Sequence, residues 1–291
     1  MNSRVLARAA ARSVLPRHRA WARLLSGLDL DPDLLERPVD PPGEQDFVIC
    51  GSPRSGTALL VAMLFQPPSV VTVMEPWDAL RLPPRELFES LRTEIASTGR
   101  LTRGRLDLAA LESTGDVVWC RDGELPHPVV TAPDFLLGIK LPAFWRYLDL
   151  LPDTRFLVCL RHPAEVVDSY ARTGGRLRLG LDYDVPFNRA MNTHLEAVTP
   201  DLAERRVRMY DYIHERVLPH LDRPNVLAVR YERWFEDPDG QLRDIEAFLG
   251  LGLSRSHVAL RRPGSGGHVD AATRDLLSQF CPTAAALGYG W

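Results

Sequence analysis

The chain has 291 residues and a formal net charge of −3, with 45% of positions hydrophobic and 25% charged. That composition excludes a disordered chain, and a chain of this length buries roughly 75% of the surface its unfolded form exposes, enough for a core without disulfides or a metal. The near-neutral charge excludes a general polyanion binder but leaves room for a local basic pocket, and the longest apolar run, eight residues from Ala58 to Phe65, falls well short of the ~18 that a membrane-spanning helix needs.

The first 28 residues carry six arginines and no acidic residue. Transit peptides share that bias; an amphipathic N-terminal helix broken at Pro16 is the reading preferred here. No continuous apolar stretch of a secretory signal is present. Pro38, Pro41, Pro42 and Gly43 mark a linker, dividing a basic helical extension (1–43) from the main domain (44–291). Beyond it, β-rich apolar runs at 47–50, 70–73, 136–140, 156–160 and 226–231 read as strands. Helical patterns occupy 57–65, 85–97, 144–150, 164–171, 188–196, 202–218 and 241–249. Strands apolar on both faces, alternating with helices, predict an α/β fold with a mostly parallel sheet and helices on both faces. The segment 172–184, polar and rich in Gly and Arg, reads as a mobile loop.

Cys50, Cys120, Cys159 and Cys281 form no C-x-x-C pair and no Cys/His cluster with zinc spacing. They read as free thiols in a reducing cytoplasm, and no metal is called for. Of the 35 basic residues one is lysine, Lys140; GC-rich coding explains the arginine bias, and Lys140 is left as the sole compact ammonium side chain.

The run Phe47-Val48-Ile49-Cys50 leads into Gly51-Ser52-Pro53-Arg54-Ser55-Gly56-Thr57 and then the apolar stretch from Ala58. Strand, glycine-bounded turn and helix form an anion cradle: the glycines allow φ > 0 and close backbone approach, and the turn N–H groups and helix N-terminus converge on a phosphate. Ser55 and Thr57 add hydroxyls. A nucleoside-triphosphate P-loop would continue G-K-[ST]; here the lysine is absent, Arg54 stands inside the loop, and no strand ends in a Walker B acid.

This loop resembles the 5′-phosphosulfate loop of sulfotransferases that use 3′-phosphoadenosine 5′-phosphosulfate (PAPS), in the Pro-Arg-Ser-Gly-Thr variant of the bacterial and tyrosyl-protein branches. The resemblance implies a P-loop-like three-layer α/β sandwich and a donor site formed by Arg54, Ser55, Gly56, Thr57 and Ala58. A second segment, Arg161-His162-Pro163-Ala164-Glu165-Val166-Val167-Asp168-Ser169, is similar to the family's 3′-phosphate motif. From the residues alone Arg161 reads equally well as a surface arginine; the resemblance implies that Arg161 and Ser169 bind the 3′-phosphate, with Arg172 as a candidate further arginine and His162 where the family commonly has aspartate. Val229-Arg230-Tyr231-Glu232 resembles the family's late strand and implies Tyr231 near the adenosine. Arg261-Arg262-Pro263-Gly264-Ser265-Gly266-Gly267 loosely resembles the basic loop that closes over the nucleotide.

Sulfuryl transfer needs a base for the acceptor proton, cations for the leaving oxygen, and in-line positioning. Glu75, in Met74-Glu75-Pro76-Trp77 after the second strand, is the candidate base, with His127, His194 and His268 in reserve. Lys140 of Lys140-Leu141-Pro142, with Arg54, is the candidate charge stabiliser. The resemblance implies transfer from PAPS to a hydroxyl or amine of a small-molecule acceptor, in a protein with no nucleic-acid partner, no stable membrane insertion and an oligomeric state open to homo-oligomers. Trp77, Phe88, Trp119, Tyr183 and Phe187 are candidates to line the acceptor cleft, each equally readable as core. Two other classes fit part of the pattern: a nucleotide-dependent kinase with a degenerate loop, and a nucleotide-binding module without catalysis.

Overall fold

The computed structural model describes residues 33–36, 38–99, 117–119, 134–183, 185–253, 258–260 and 270–290. Most of the basic extension, Cys120, His127, His268 and the 261–267 loop lie outside the described residues, as do the side chains of Trp77 and Trp119.

Five strands form a parallel sheet: β1 (Asp46–Gly51), β2 (Val70–Met74), β4 (Leu136–Lys140), β5 (Arg155–Leu160) and β6 (Val226–Arg230), in the order β2-β4-β1-β5-β6. A separate antiparallel pair joins β3 (Val117–Trp119) to β7 (Val258–Leu260). The sequence pattern missed that pair. Alternation along β1 builds two cores. Phe47 and Ile49 pack with α1 (Thr57–Leu64) and α7 (Pro238–Leu249). Val48 and Cys50 pack on the other face with α3 (Pro163–Arg172) and α5 (Leu202–Val217). Period-two side chains on a doubly covered sheet thus give the expected three layers. The helices α2 (Pro84–Thr98), α4 (Pro186–Val198) and the short α6 (Arg233–Glu236) complete the domain. Two further helices, α8 (Ala271–Phe280) and α9 (Pro282–Ala286), were absent from the sequence reading.

Two expectations are corrected. Residues 144–150 do not form an α-helix: Pro142–Tyr147 is a 3₁₀ helix with five of its residues buried. Such a segment has no polar stripe to offer solvent, and three-residue winding sets Phe144 above Tyr147, ring centroids 5.4 Å apart. The stretch read as a mobile loop is packed, with a 3₁₀ turn at Arg176–Leu179 and Leu177, Leu181 and Asp182 buried. Arginines cap its carbonyls: Arg206 Nη1 donates to Arg178 O (2.8 Å) and Arg176 Nε to Asp182 O (3.0 Å).

Ahead of the domain, Leu34 is buried against Leu80, Ala143, Val185 and Phe187. The three described cysteines, Cys50, Cys159 and Cys281, are free and buried, and burial pushes the Cys159 thiol up to about 12. Among the described residues no helix is long and apolar enough to cross a membrane.

Candidate functional site

Parallel pairing brings the carboxyl ends of the five strands to one edge, where α/β sheets bind ligands. The loop 51–57 follows β1, Glu75 follows β2, Lys140 ends β4, Arg161 follows β5 and Tyr231 follows β6. Register sets the finer placement. Met74 pairs with Lys140, so the Glu75 N–H donates to Lys140 O (2.8 Å) and the two side chains form an ion pair. That ammonium is 5% exposed and its carboxylate 20%.

The loop is held by its own backbone. Ser55 N–H donates to Ser52 O (3.1 Å), and Gly51 and Gly56 take φ of 142° and 98°. A Cβ on Gly51 would lie 2.5 Å from Cys159 O, and one on Gly56 2.5 Å from the Tyr231 ring. No side chain caps the N-terminus of α1 and its first turn carries no acidic residue, so those N–H groups are available to an anion. Ser55 is fully buried and its Oγ has no hydrogen-bond partner among the described residues. A buried hydroxyl without a partner, in the turn that leads into an uncapped helix start, fits a bound phosphate oxygen. Arg54 (φ 70°) and Glu75 (φ 49°) are the two non-glycine residues with positive φ among the described residues. Such strain is of order 1–3 kcal/mol and persists where surrounding structure over-determines it, commonly at ligand sites.

Residues distant in sequence converge on Arg54. Its Nε donates to Ser169 Oγ (2.9 Å), while Arg161 Nη1 donates to Arg54 O (3.3 Å). The strand-end arginine and the serine one helix further on are therefore joined through the loop. Arg161 is also gripped by Glu165, with Nη2 2.8 Å from Oε2, and lies 3.9 Å from the centre of the Tyr231 ring. Tyr231 is itself buried beneath Gly56 and Arg161.

Several expected residues stand elsewhere. Arg172 turns back along its helix to Asp168 (2.6 Å) and is exposed. His194 is exposed and beside Tyr212, ring centroids 5.7 Å apart. Phe88 belongs to the main core and Phe187 packs with Leu34. His162, at the aspartate position of the resemblance, caps α3: its Nδ1 accepts from Ala164 N–H (3.3 Å), its Nε2 lies 3.1 Å from Gly290 O, and its own N–H donates to Glu232 (2.7 Å).

Two clefts share Glu75, Pro142 and Tyr183. The larger, about 620 Å³, is lined by the loop, Lys140 and Arg161. The smaller, about 450 Å³, is walled mainly by apolar residues, with Asp182 and Asn188 as added polar groups. Asp182 is buried, and desolvation pushes its carboxyl up to about 6 against the lowering effects of the Tyr183 N–H and Arg146. Asp182, Asn188 and Glu165 escaped the sequence reading; Asp182 and Asn188 are buried by contacts that no local pattern marks, and Glu165 shows its role only through its ion pair with Arg161.

The chain is similar to several known proteins. The nodulation protein NoeE of Sinorhizobium fredii is 27% identical over 216 residues, 69% of this chain and 49% of that protein; the chain spans about half the length of this curated relative. A sulfotransferase domain from the curacin biosynthetic pathway superposes with a TM-score of 0.47 at 17% identity, covering 87% of this chain and 99% of that one. A sulfotransferase from Alicyclobacillus acidocaldarius gives 0.42 at 18%, covering 87% and 98%. The sequence model of the sulfotransferase family matches residues 46–255, the span that carries all five sheet strands, and by that match the chain belongs to the sulfotransferase family.

Proposed function

We propose that the chain is a PAPS-dependent sulfotransferase acting on a hydroxyl or amine of a small-molecule acceptor. When bound, PAPS supplies an activated sulfuryl group on its 5′-phosphate and leaves as adenosine 3′,5′-bisphosphate. Arg54, Ser55, Gly56, Thr57 and Ala58 would hold the 5′ end and Arg161 with Ser169 the 3′-phosphate, Tyr231 supporting both. Glu75 takes the acceptor proton as the acceptor oxygen or nitrogen bonds sulfur. Lys140 and Arg54 stabilise the charge that builds on the bridging oxygen as its bond to sulfur breaks. Lys140 also orients the Glu75 carboxylate through their ion pair. The free buried thiols support a reducing, cytoplasmic setting.

The observation that carries this reading is the left-handed backbone at both Arg54 and Glu75, two residues that line one cleft. Strain held at a cation and a carboxylate across a single pocket supports a site built for chemistry over a plain fold feature. The test is incubation with PAPS and a panel of phenols, sugars and amines, read by mass spectrometry for a gain of one SO₃. Calorimetry with adenosine 3′,5′-bisphosphate and with ATP accompanies it. Tight bisphosphate binding and a sulfated product are expected. Phosphoryl gain from ATP would mean a kinase, and nucleotide binding without either product a module without catalysis.

A further inference from the structure

The smaller cleft begins at Glu75 and runs between Leu80, Leu141, Ala143 and Val185. Its polar members are held with care. The backbone of Asp182 is clamped by Asn192, whose Oδ1 accepts from Asp182 N–H (2.9 Å) and whose Nδ2 donates to Asp182 O (3.1 Å). The Tyr183 N–H donates to Asp182 Oδ1 (2.7 Å). Asn188 is 2% exposed; its Nδ2 donates to Tyr183 O (3.3 Å), which leaves the amide oxygen as the other end. That Oδ1 is buried and has no hydrogen-bond partner among the described residues. An acceptor atom left so costs about 1–3 kcal/mol, and the deficit is relieved when a ligand brings a donor.

We propose that Asn188 and Asp182 read a second hydrogen-bond donor on the acceptor molecule, so that this site takes a two-ended substrate: a reacting hydroxyl or amine at Glu75, an apolar middle, and a hydroxyl or ammonium at the far end. Both reading groups accept hydrogen bonds, so the far end donates and an anionic group there is rejected. The inference rests on the sulfotransferase reading of Glu75. A pocket built to pair a hydroxyl discriminates against the analogue that lacks it far more sharply than an apolar pocket does against a missing methylene.

The test uses protein saturated with adenosine 3′,5′-bisphosphate and three probes, 4-ethylphenol, 4-(2-hydroxyethyl)phenol and tyramine, titrated by calorimetry and again without nucleotide. The hydroxyethyl probe is expected to bind about tenfold more tightly than the ethyl probe. Asn188→Leu should bring that ratio to within about twofold, with Asn188→Ala as the second variant should Leu fail to fold. Asp182→Asn should remove the preference for tyramine selectively. Equal affinities for the two neutral phenols in the unaltered protein, an unchanged ratio in both Asn188 variants, or no binding of any probe would overturn the proposal. With PAPS in place of the bisphosphate, an intact binding preference without sulfated product would sink the sulfotransfer reading alone. Sulfation of both neutral phenols with equal efficiency would sink the specificity inference alone.

Discussion

The loop after β1 and the segment between α3 and α4 meet at Glu75, and they are held in opposite ways. The loop is shaped mainly by its own backbone, with two glycines, one internal hydrogen bond and an uncapped helix start, and is tied from outside at Arg54 by Arg161 and Ser169. The 173–185 segment is shaped by side chains reaching in from elsewhere, Asn192 from α4 and Arg205 and Arg206 from α5, all on backbone groups. A backbone cradle suits a ligand part that never varies, such as a phosphate. A side-chain scaffold permits the wall facing the variable substrate to change by substitution without disturbing the cradle. Glu75 is the hinge of the two regimes because it lines both clefts.

Removing that shared residue gives the largest expected effect. Glu75→Gln should lower kcat by ~10²- to 10⁴-fold with bisphosphate affinity retained; near-normal turnover would end its assignment as base. Arg161→Ala tests the cradle side alone and should raise the KM for PAPS by about 10- to 100-fold through lost charge-assisted hydrogen bonds, while leaving the phenol selectivity ratio unmoved. An unaltered KM would take Arg161 out of the donor site.

Gly56→Ala probes the backbone regime by stability. A methyl there meets the Tyr231 ring at 2.5 Å and sits at φ 98°, so a loss of about 1–3 kcal/mol is expected, read as a fall in Tm. Gly250→Ala, at φ 73° with nothing within 4 Å, is the control and should cost less; equal losses would show that the contact with Tyr231 contributes nothing.

Asp182→Asn probes the side-chain regime. Burial raises the folded-state pKa from 3.8 to about 6, so the folded chain keeps a proton that the unfolded chain has already released. Stability from this group is present at low pH and is lost as pH rises through that window. The charged and titratable neighbours are Arg146, Glu75 and Lys140. The variant should therefore be the more stable by up to about 3 kcal/mol above pH 6, with the difference closing towards pH 4. Melting curves across that range check it; a difference independent of pH would mean that the carboxyl is not penalised by burial.

The same contrast explains what was legible. Gly51, Arg54, Gly56, Lys140 and Arg161 stand at strand ends, and their placement follows from local pattern plus parallel pairing. Glu75 was readable for the same reason, although its φ was not. The Arg54–Ser169 contact was not readable, since spacing along a helix does not say which loop the serine meets. Asp182 sits in a segment whose composition reads as solvated, and Asn188 at the start of a predicted helix whose pattern does not mark it as buried. Their burial depends on Asn192 and on arginines that spend their donors on carbonyls. The 142–147 segment misled because its apolar spacing suits either winding and the sheet beneath it chose the tighter one. For α8 a signal was present: Asp270 accepts from Thr273 N–H (2.6 Å) as an N-cap, and the Asp-x-x-Thr spacing was there to be read.

Lys140 is the only lysine in the sequence, and it is sunk beside Glu75. An amine-selective acylating reagent therefore finds a single side-chain target in the whole molecule, and that target lies inside the cleft. Its labelling rate is expected to report on the site: slow while the pair with Glu75 is closed, faster when Glu75→Gln loosens it, and lower again on adding nucleotide if the proposed donor site is correct. The scarcity of one amino acid thus turns a common chemical modification into a site-specific gauge, with no engineered tag required.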